Sequence, residues 1–533
     1  MNKLYYGDNL SVLRKEIASE SVDLVYLDPP FNSQANYNVL FKSTSGEQSH
    51  AQIEAFEDTW HWGDQAEQAF DEVMHGPNSD AAELLRALRA FLKENDMMAY
   101  LTMMAVRLIE LHRVLKETGS IYLHCDPTAS HYLKLLMDAI WGVRRFRNEI
   151  VWQRTSAHND PSRYGRVHDV LLFYSNAESY TWNQQYEPPD KDYFSSHDFE
   201  TDSDGLRYRK RDLTAPGHGT VSGQYEWKGK RPPEGRMWSY TKENMERLEA
   251  EGRIVYTRTG MPRLKLPVDT LDGVPYQDVW AKSELWLNSA AGERLGYPTQ
   301  KPVALLERII AASSSEGDVV LDPFCGCGTT IHAAQKLKRE WIGIDITHLA
   351  ISLIEKRLND AFPGIKYEVH GTPKDLEGAQ ALAEQDKYQF QWWAVSLVNA
   401  VPYGGKKKGA DSGIDGHIYF KPEGKTTEKA IVSVKGGDNV NVAMVRDLGH
   451  VVDREKAKIG VFITLAEPTG PMKTEAVKAG YYETLYGKYP KLQILTIAEL
   501  FEGKQPNIPL IDSASFKKAP KEIEGGEQEK LLF

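Results

Sequence analysis

The chain has little cysteine, no long hydrophobic run and no visible leader peptide, and each absence excludes a class of protein. Its three cysteines, Cys125, Cys325 and Cys327, cannot build a disulfide framework, and the C-x-C pair lacks a second pair that would complete a four-ligand zinc site. No apolar stretch approaches the roughly 20 residues that a membrane-spanning helix needs. The start, MNKLYYGDNL, has neither the basic nor the apolar region of a targeting peptide, so we expect a cytoplasmic location.

What is present is the composition of an ordinary globular protein with several domains. The chain has 533 residues, of which 41% are hydrophobic and 26% charged, enough to bury more than one core. The net charge of -11 does not favour a polyanionic partner, but net charge governs only the far field. Local clusters of basic residues therefore decide whether nucleic acid is a partner.

The alternation of predicted strands and helices indicates an α/β sheet with crossover connections, interrupted by an irregular region. A polar segment and a second, smaller α/β domain follow. We expect this division: one sheet from 1–147 and 291–370, a separate lobe at 148–290, a linker at 371–387, a second domain at 388–503 and a disordered tail at 504–533.

A strand, VVLD, leads directly into the turn from Phe324 to Gly328, and a helix follows it. Glycines let the backbone approach a ligand, and the N–H groups at a helix start favour a carboxylate or phosphate. Asp345 ends the next strand, where an acidic side chain can accept from both hydroxyls of a ribose. The triphosphate loop G-x-x-x-x-G-K-[ST] is absent, and the spacing differs from G-x-G-x-x-G. The pattern favours S-adenosylmethionine; a tight strand–helix connection without a ligand is the alternative.

The tetrapeptide Asp28-Pro29-Pro30-Phe31 follows the buried strand VDLVYL, at the edge where open α/β sheets bind ligands. Two prolines stiffen the loop, which presents a carboxylate, a carbonyl and an aromatic ring. Methylation of an exocyclic amine needs two acceptors for the amine hydrogens and a surface on which an extruded base can stack. A stiffened turn with a capping aspartate is the alternative interpretation.

Several motifs occur in one order along the first 370 residues and together resemble a known enzyme family. They are YGDNL at Tyr6, DPPF at Asp28, SIYLHCD at Ser120, RNEIVWQR at Arg147, PTQKP at Pro298, DPFCGCGTT at Asp322 and GIDI at Gly343. DPPF comes first and the glycine-rich turn last, which resembles the β arrangement of amino-directed DNA methyltransferases, in particular the modification subunits of type III restriction systems. The chain departs from that pattern in a polar insertion, 34–95, and in Tyr297, where the family commonly has His.

This resemblance implies a Rossmann-like, S-adenosylmethionine-dependent α/β domain with an inserted target-recognition lobe. The implied activity is site-specific methylation of adenine N6 in double-stranded DNA within a restriction-modification system. Asp at the head of the tetrapeptide favours adenine, while N4 of cytosine stays open. The implied catalytic residues are Asp28, Pro29, Pro30 and Phe31. The implied cofactor residues are Asp322, Phe324, Gly326, Gly328, Asp345 and Lys301. A separate restriction or helicase subunit and a homodimer are further partners that the resemblance leaves open.

A basic cluster lies in the predicted lobe. Between Gly205 and Tyr240 the sequence has eight Lys or Arg and three acidic residues, a local excess of five positive charges. Tyr and Trp residues are interspersed among them. Basic and aromatic residues together suit phosphate contact and base stacking. The predicted DNA-binding residues are Arg207, Arg209, Lys210, Arg211, Lys228, Lys230 and Arg231. A merely solvated basic surface is the alternative.

The second domain resembles the PD-(D/E)xK nuclease fold in its Mrr-like version. Asp415 precedes one predicted strand and Lys435 ends the next, so both can converge on one point. The resemblance implies that Asp415 binds Mg²⁺ and that Lys435 is catalytic. The motif triplet reads Ser433-Val434-Lys435, and serine is a poorer metal ligand than a carboxylate. Either Asp411, the Val434 carbonyl or a more distant acid completes the site, or cleavage is lost.

Three readings of the whole chain remain. The leading one is a bifunctional restriction-modification protein whose single lobe serves methyl transfer and cleavage. The second is a methyltransferase with a non-cleaving DNA-binding domain, and the third is a non-catalytic DNA-binding protein. We expect His124, Asp126 and His131, which lie near the catalytic edge, to be structural.

Overall fold

The structure is a computed structural model, and it divides into two compact units, 1–183 with 278–533 and 184–277. The residues that it describes are 2–30, 61–157, 160–187, 199–202, 205–217, 223–267, 273–281, 283–286, 293, 300–403, 413–420, 422, 427–485 and 487–509. Within those ranges no helix is both long and apolar enough to cross a membrane.

Strands and helices alternate from the start of the chain. The first segment contains β1 (Lys3–Tyr6), α1 (Asn9–Glu16), β2 (Val22–Leu27), α2 (Asp64–His75), α3 (Ser79–Leu92), α4 (Asp96–Val114), β3 (Leu115–Cys125), α5 (Ser130–Trp141), β4 (Phe146–Gln153) and β5 (His168–Ser175). The second compact unit contains β6 (Tyr186–Glu187), β7 (Phe199–Thr201), β8 (Arg207–Asp212), β9 (Thr214–Pro216), β10 (Arg236–Trp238), α6 (Lys242–Ala250), β11 (Ile254–Tyr256), β12 (Pro262–Pro267) and β13 (Val274–Pro275).

The chain then returns to the first unit. This part contains β14 (Val279–Trp280), α7 (Val303–Ser313), β15 (Val319–Asp322), α8 (Thr329–Lys336), β16 (Glu340–Asp345), α9 (His348–Ala361) and β17 (Glu368–His370). The C-terminal segment contains α10 (Leu376–Gln385), α11 (Lys387–Leu397), β18 (Val401–Pro402), β19 (Gly416–Phe420), β20 (Glu428–Lys435), α12 (Val442–Arg454), β21 (Ile459–Thr464), α13 (Gly470–Lys478), β22 (Tyr481–Thr484), β23 (Gly487–Pro490), β24 (Leu492–Thr496) and α14 (Ile497–Phe501).

The main sheet has nine strands in the order β14-β4-β5-β3-β2-β15-β16-β1-β17. All neighbours pair in parallel except that β5 is antiparallel to both β3 and β4. Hydrophobic clusters cover the sheet on two sides, one built with α1 and α4 and the other with α7 to α9. A mostly parallel sheet needs both faces covered, which explains why every residue of the strand VDLVYL is buried. The first and last parts of the methyltransferase-like region thus form one sheet.

The predicted lobe of 148–290 began too early. Strands β4 and β5 belong to the main sheet, and the second compact unit covers 184–277. Its largest sheet has the order β11-β12-β8-β7, and its core contains Trp227 and Trp238. The boundary was missed because β5 runs against its neighbours without a helical crossover, so the strand–helix alternation stops before the sheet does.

The predicted linker of 371–387 was also wrong in part. Helix α10 lies inside it, begins with the capping side chain of Asp375, and buries Ala379 and Leu382 in the core of the C-terminal domain. That domain has a five-stranded sheet, β18-β19-β20-β21-β24, in which β18, β19 and β20 are antiparallel and β20, β21 and β24 parallel. The polar residues at either end of this helix, GTPKD and QDK, made the segment look like a linker.

Candidate functional site

Two loops that are far apart in the sequence leave the main sheet side by side. Strands β2 and β15 pair in parallel, with Leu24 opposite Val320 and Val25 opposite Leu321. Parallel neighbours end at the same edge of a sheet, so the loop of Asp28 and the turn that begins after Asp322 start from adjacent positions. This edge is the candidate site.

The glycine-rich turn is closed by its own hydrogen bonds. The N–H of Gly326 donates to the Asp345 carboxylate at 3.0 Å, and that of Cys325 donates to the Ile344 carbonyl at 3.1 Å. The N–H groups of Phe324 and Gly328 donate to Asp322 and Cys325, next to or within the turn. These hydrogen bonds use the N–H groups of Phe324, Cys325, Gly326 and Gly328 within the protein. Gly328 has φ +73°, and a Cβ there would lie 2.8 Å from Ile354, so the turn requires glycine.

Two buried carboxylates support this turn. Burial raises the pKa of Asp322 to about 7, although its carboxylate accepts from the Phe324 N–H at 3.0 Å. Burial likewise raises the pKa of Asp345 to about 6. Asp345 accepts from the Gly326 N–H and from the N–H and hydroxyl of Thr347, which leaves at most one lone pair of its four. Asp345 is thus held in one orientation at the end of β16.

A third loop, YGDNL, is tied to the same edge. The Gly7 N–H donates to the Asp345 carbonyl at 2.9 Å, and the Asn9 side chain donates to the Pro323 carbonyl at 2.9 Å. Arg107 in turn donates to Asn9 and Asp8 at 2.7 and 2.8 Å. The motif thus holds the glycine-rich turn in place.

The Asp28 carboxylate is held by a lysine from the other end of the methyltransferase-like region. Lys301 Nζ lies 2.5 Å from Asp28 Oδ2, and both side chains are largely buried. The resemblance implied a cofactor-binding role for Lys301, and in the structure its side chain contacts Asp28 of the tetrapeptide. Pro29 is buried and Pro30 half-buried. The predicted stacking residue Phe31 lies outside the described residues.

Sequence reasoning missed a buried network behind Asp28. His124 is fully buried; its Nδ1 lies 2.9 Å from the Tyr26 hydroxyl and 3.8 Å from Asp28 Oδ1, and its Nε2 lies 3.3 Å from Asp169. The imidazole therefore bridges the tetrapeptide loop and the start of β5. The signal in the sequence was a polar residue at the end of an apolar strand, in SIYLHCD. By contrast, Asp126 caps the turn before α5, which fits the structural role predicted for it.

The basic cluster of the second unit is only partly available to a ligand. Lys210 pairs with Glu200, Lys228 with Glu249 at 2.6 Å, and Arg231 with Glu226 at 3.5 Å. The remaining predicted residues also lie on this unit: Arg207, Arg209 and Arg211 are on β8, and Lys230 forms a backbone bridge with Trp227. The excess of charge counted along the sequence therefore overstates the positive surface, because Glu200 and Glu249 lie outside the counted window and pair with two of its cations.

The aromatic residues that alternate with these cations are mostly core residues. Trp227, Trp238 and Tyr208 are 4%, 2% and 7% exposed. The Trp238 indole N–H donates to the Tyr225 carbonyl at 2.8 Å. These three rings are packed inside the unit, which does not favour them as base-stacking residues.

In the C-terminal domain the structure brings Asp415 close to the end of β20. Its Oδ2 accepts from the Val434 N–H at 2.6 Å, one residue before Lys435. Ser433 is buried. Helix α11 packs on the same strand end, where a Cβ on Gly436 would lie 2.8 Å from the Phe390 ring. Gln389, next to Phe390, is buried, and its Oε1 has no hydrogen-bond partner among the described residues.

Comparisons with known proteins agree with this division. Residues 22–356 match a family described as DNA methylase, and residues 382–488 match one described as restriction endonuclease. A similar curated protein is the type II methyltransferase M.EcaI of Enterobacter cloacae, 32% identical over 363 residues that make up 67% of this chain and 69% of that protein.

Two further matches cover the same region. The Mod subunit of the type III restriction-modification enzyme StyLTI of Salmonella typhimurium is 28% identical over 358 residues, 64% of this chain and 50% of that protein. The chain thus spans half the length of this relative. Among solved structures, the M1.HpyAVI-SAM complex matches with a TM-score of 0.31 and 15% identity, over 67% of this chain and 100% of that one.

Proposed function

The chain belongs to the DNA methylase family, and on that premise we propose that it transfers the methyl group of S-adenosylmethionine to N6 of adenine in double-stranded DNA. The observation that carries the proposal is the adjacency of β2 and β15. It sets the Asp28 carboxylate beside a cofactor-type turn, as a transfer from one ligand to the other requires.

The residues of the turn suit a cationic cofactor. Asp322 and Asp345 are buried carboxyls whose pKa values are raised, so a nearby positive charge favours their ionised form. S-adenosylmethionine, when bound, supplies an electrophilic methyl group on a sulfonium. We assign Asp322, Phe324, Gly326, Gly328 and Asp345 to its binding, with Asp345 accepting from one ribose hydroxyl.

Asp28 and the Pro29 carbonyl are the acceptors for the two amine hydrogens of an extruded adenine. Lys301 occupies Asp28 Oδ2, which leaves Oδ1 for the amine. Both bonds pull the nitrogen lone pair out of conjugation with the ring and aim it at the methyl group. The nitrogen–carbon bond forms as the sulfur–carbon bond breaks. The methylated ammonium is acidic and loses its proton readily, so no general base is required.

Incubation of the protein with plasmid DNA and methyl-labelled S-adenosylmethionine, followed by nucleoside chromatography, tests the proposal. We expect label in N6-methyladenine and a loss of about 10²- to 10³-fold with Asp28→Ala, because one preorganised acceptor of the transition state is removed. Label in N4-methylcytosine would instead establish the alternative target. No label in either nucleoside contradicts the proposal.

We further propose Mg²⁺-dependent cleavage of DNA by the C-terminal domain, which would complete a restriction-modification protein. The match of 382–488 to a restriction endonuclease family and the approach of Asp415 to the end of β20 support it. Asp415 is the one carboxylate that we place on the metal, since Ser433 replaces an acid. Lys435 is positioned to hold the attacking water, and the buried Gln389 oxygen is a further candidate ligand.

Nicking of supercoiled plasmid with and without Mg²⁺ tests this second activity. We expect Lys435→Met to abolish nicking while methylation stays within about twofold, because the two centres use different residues. A protein that methylates but never nicks would identify the C-terminal domain as a DNA-binding module. A separate restriction or helicase subunit, or a homodimer, would be revealed by sizing the protein with and without DNA.

A further inference from the structure

A second surface at the catalytic edge has no role in the proposals above. It is the connection between β4 and β5, whose residues 160–166 we call the Arg-Tyr turn. Strand β5 is antiparallel to β3 and to β4, so the end of β4 and the start of β5 lie at the same edge as the end of β3. Asp28 follows the neighbouring strand, β2. At about 4.8 Å between strands, the start of β5 is only about 10 Å from the end of β2.

The base of this connection is anchored to the catalytic carboxylate. The Arg154 N–H donates to the Val167 carbonyl at 2.9 Å, and Arg154 Nε lies 3.4 Å from Asp169. Asp169 contacts the buried His124, which in turn lies 3.8 Å from Asp28 Oδ1. The His124 imidazole therefore links Asp169, at the base of the connection, to Asp28, the residue that we place on the target amine.

The Arg-Tyr turn has a defined shape. The Asp160 carboxylate accepts from the N–H and the hydroxyl of Ser162 at 3.0 and 2.8 Å, and from Arg163 Nε at 2.9 Å. These bonds fix the backbone just before Tyr164. The Tyr164 side chain is 98% exposed, and Arg166 two residues later is also exposed.

The chemistry of this surface fits DNA. Arg163 is paired with Asp160 and Arg154 lies 3.4 Å from Asp169, so the exposed Arg166 supplies the positive charge of this surface. An aromatic ring that no core contact requires stands between two of these arginines. Rings stack on bases of any sequence, and arginines pair with phosphates. A solvent-exposed tyrosine at a catalytic edge therefore has a matching partner in the base stack.

We propose that the Arg-Tyr turn is a DNA-contacting element in which Tyr164 packs against the base stack at the position that the target base leaves. Arg166 contacts a flanking phosphate, while Arg163 holds the turn through Asp160. This inference rests on the proposed methylation of an extruded base. Extrusion costs the stacking and pairing of one nucleotide, and a side chain that fills the gap offsets part of that cost.

Methylation of two duplexes by Tyr164→Ala tests the inference. In the first the target adenine is paired with thymine; in the second it lies opposite an abasic site and is already unpaired. We expect kcat/KM to fall about tenfold on the paired duplex and less than about threefold on the unpaired one, since the cost that Tyr164 offsets is then absent. Tyr164→Phe keeps the ring and should stay within about twofold on both.

A matched control is Tyr481→Ala, because Tyr481 is also exposed but lies on β22 of the C-terminal domain. It should leave methylation of both duplexes unchanged. Arg166→Ala should lower the salt slope of DNA binding by about one, for one lost phosphate contact. Equal loss on both duplexes with Tyr164→Ala, or no loss, overturns the inference. The wild-type protein tests the proposed function separately in the same assay.

Discussion

The methyltransferase-like edge and the C-terminal centre differ in how completely their polar groups are held. At the edge of the main sheet, Asp28 is paired with Lys301, Asp345 accepts three hydrogen bonds, and Asn9 holds the turn from a third loop. In the C-terminal domain, one carboxylate oxygen of Asp415 accepts a hydrogen bond from the Val434 N–H. There the buried Ser433 stands at the motif position for an acid or glutamine, and the Gln389 Oε1 has no hydrogen-bond partner among the described residues.

The methyltransferase-like edge is therefore more preorganised than the C-terminal centre. A site whose acids are already oriented by protein groups loses little free energy in reorganising for its ligand. A centre with one carboxylate relies on a metal ion to assemble it. We therefore expect the methyltransferase reaction to tolerate changes in metal concentration and the cleavage reaction to depend steeply on it.

We expect the largest effect on activity from replacing Lys301, which tests whether protein groups orient the acid at the methyltransferase-like edge. We expect Lys301→Met to lower kcat for methylation about 10- to 100-fold, because Asp28 is no longer oriented. This factor corresponds to the free energy of one charge-assisted hydrogen bond. The dissociation constant of S-adenosylmethionine, measured by calorimetry, should change less than about threefold. Lys301→Arg should retain more activity. A large loss of cofactor affinity at normal kcat would return Lys301 to the cofactor site.

Adding a carboxylate to the C-terminal centre tests whether its incomplete set of metal ligands limits cleavage. Ser433→Glu should raise Mg²⁺-dependent nicking about tenfold at limiting Mg²⁺, because a carboxylate binds that ion better than a hydroxyl. Methylation by the same variant shows that it folds. The combination with Lys435→Met should abolish the gain. An unchanged Mg²⁺ titration would mean that the acid at this position is not what the centre lacks.

The raised pKa values predict a pH dependence that belongs to the methyltransferase edge. Between pH about 4 and about 7, Asp322 and Asp345 bind more protons in the folded than in the unfolded chain, so the free energy of unfolding of the free protein falls as pH rises. S-adenosylmethionine is cationic and favours the ionised carboxyls. We expect its affinity to rise about three- to tenfold from pH 5.5 to 7.5.

The matched control is S-adenosylhomocysteine, which lacks the sulfonium charge and should show a weaker dependence. Asp322→Asn should flatten the curve for S-adenosylmethionine. If both ligands gain affinity equally with pH, the buried carboxyls do not contact the sulfonium.

The smallest effect concerns the lobe that both centres would share. Arg209→Ala with Arg211→Ala should weaken DNA binding about three- to tenfold and lower its salt slope by one to two. Methylation and nicking should fall together. Lys228→Ala is the control, because Glu249 already neutralises that charge. An effect on one activity alone would mean that the two centres do not share this lobe.

The order of motifs predicted more of the site than of the domain boundaries. DPPF and the glycine-rich turn were identified from spacing because a buried strand followed by a stiff or glycine-rich loop is a local pattern. The helix at 376–385 and the strands at 146–153 and 168–175 were misassigned, because partners elsewhere in the fold decide their burial. The aromatic residues of the lobe failed for the same reason, since alternation along a strand does not say which face is covered.

Local hydrophobic pattern and turn residues set which chemical groups stand at the ends of which strands, so those positions could be predicted from the amino-acid sequence. The contacts that these groups make became known from the fold. Lys301, which the resemblance assigned to the cofactor, contacts Asp28, and the buried His124, predicted to be structural, links Asp28 and Asp169. Such pairings depend on strand order across the sheet, and long-range pairing is not encoded in the spacing of neighbouring residues.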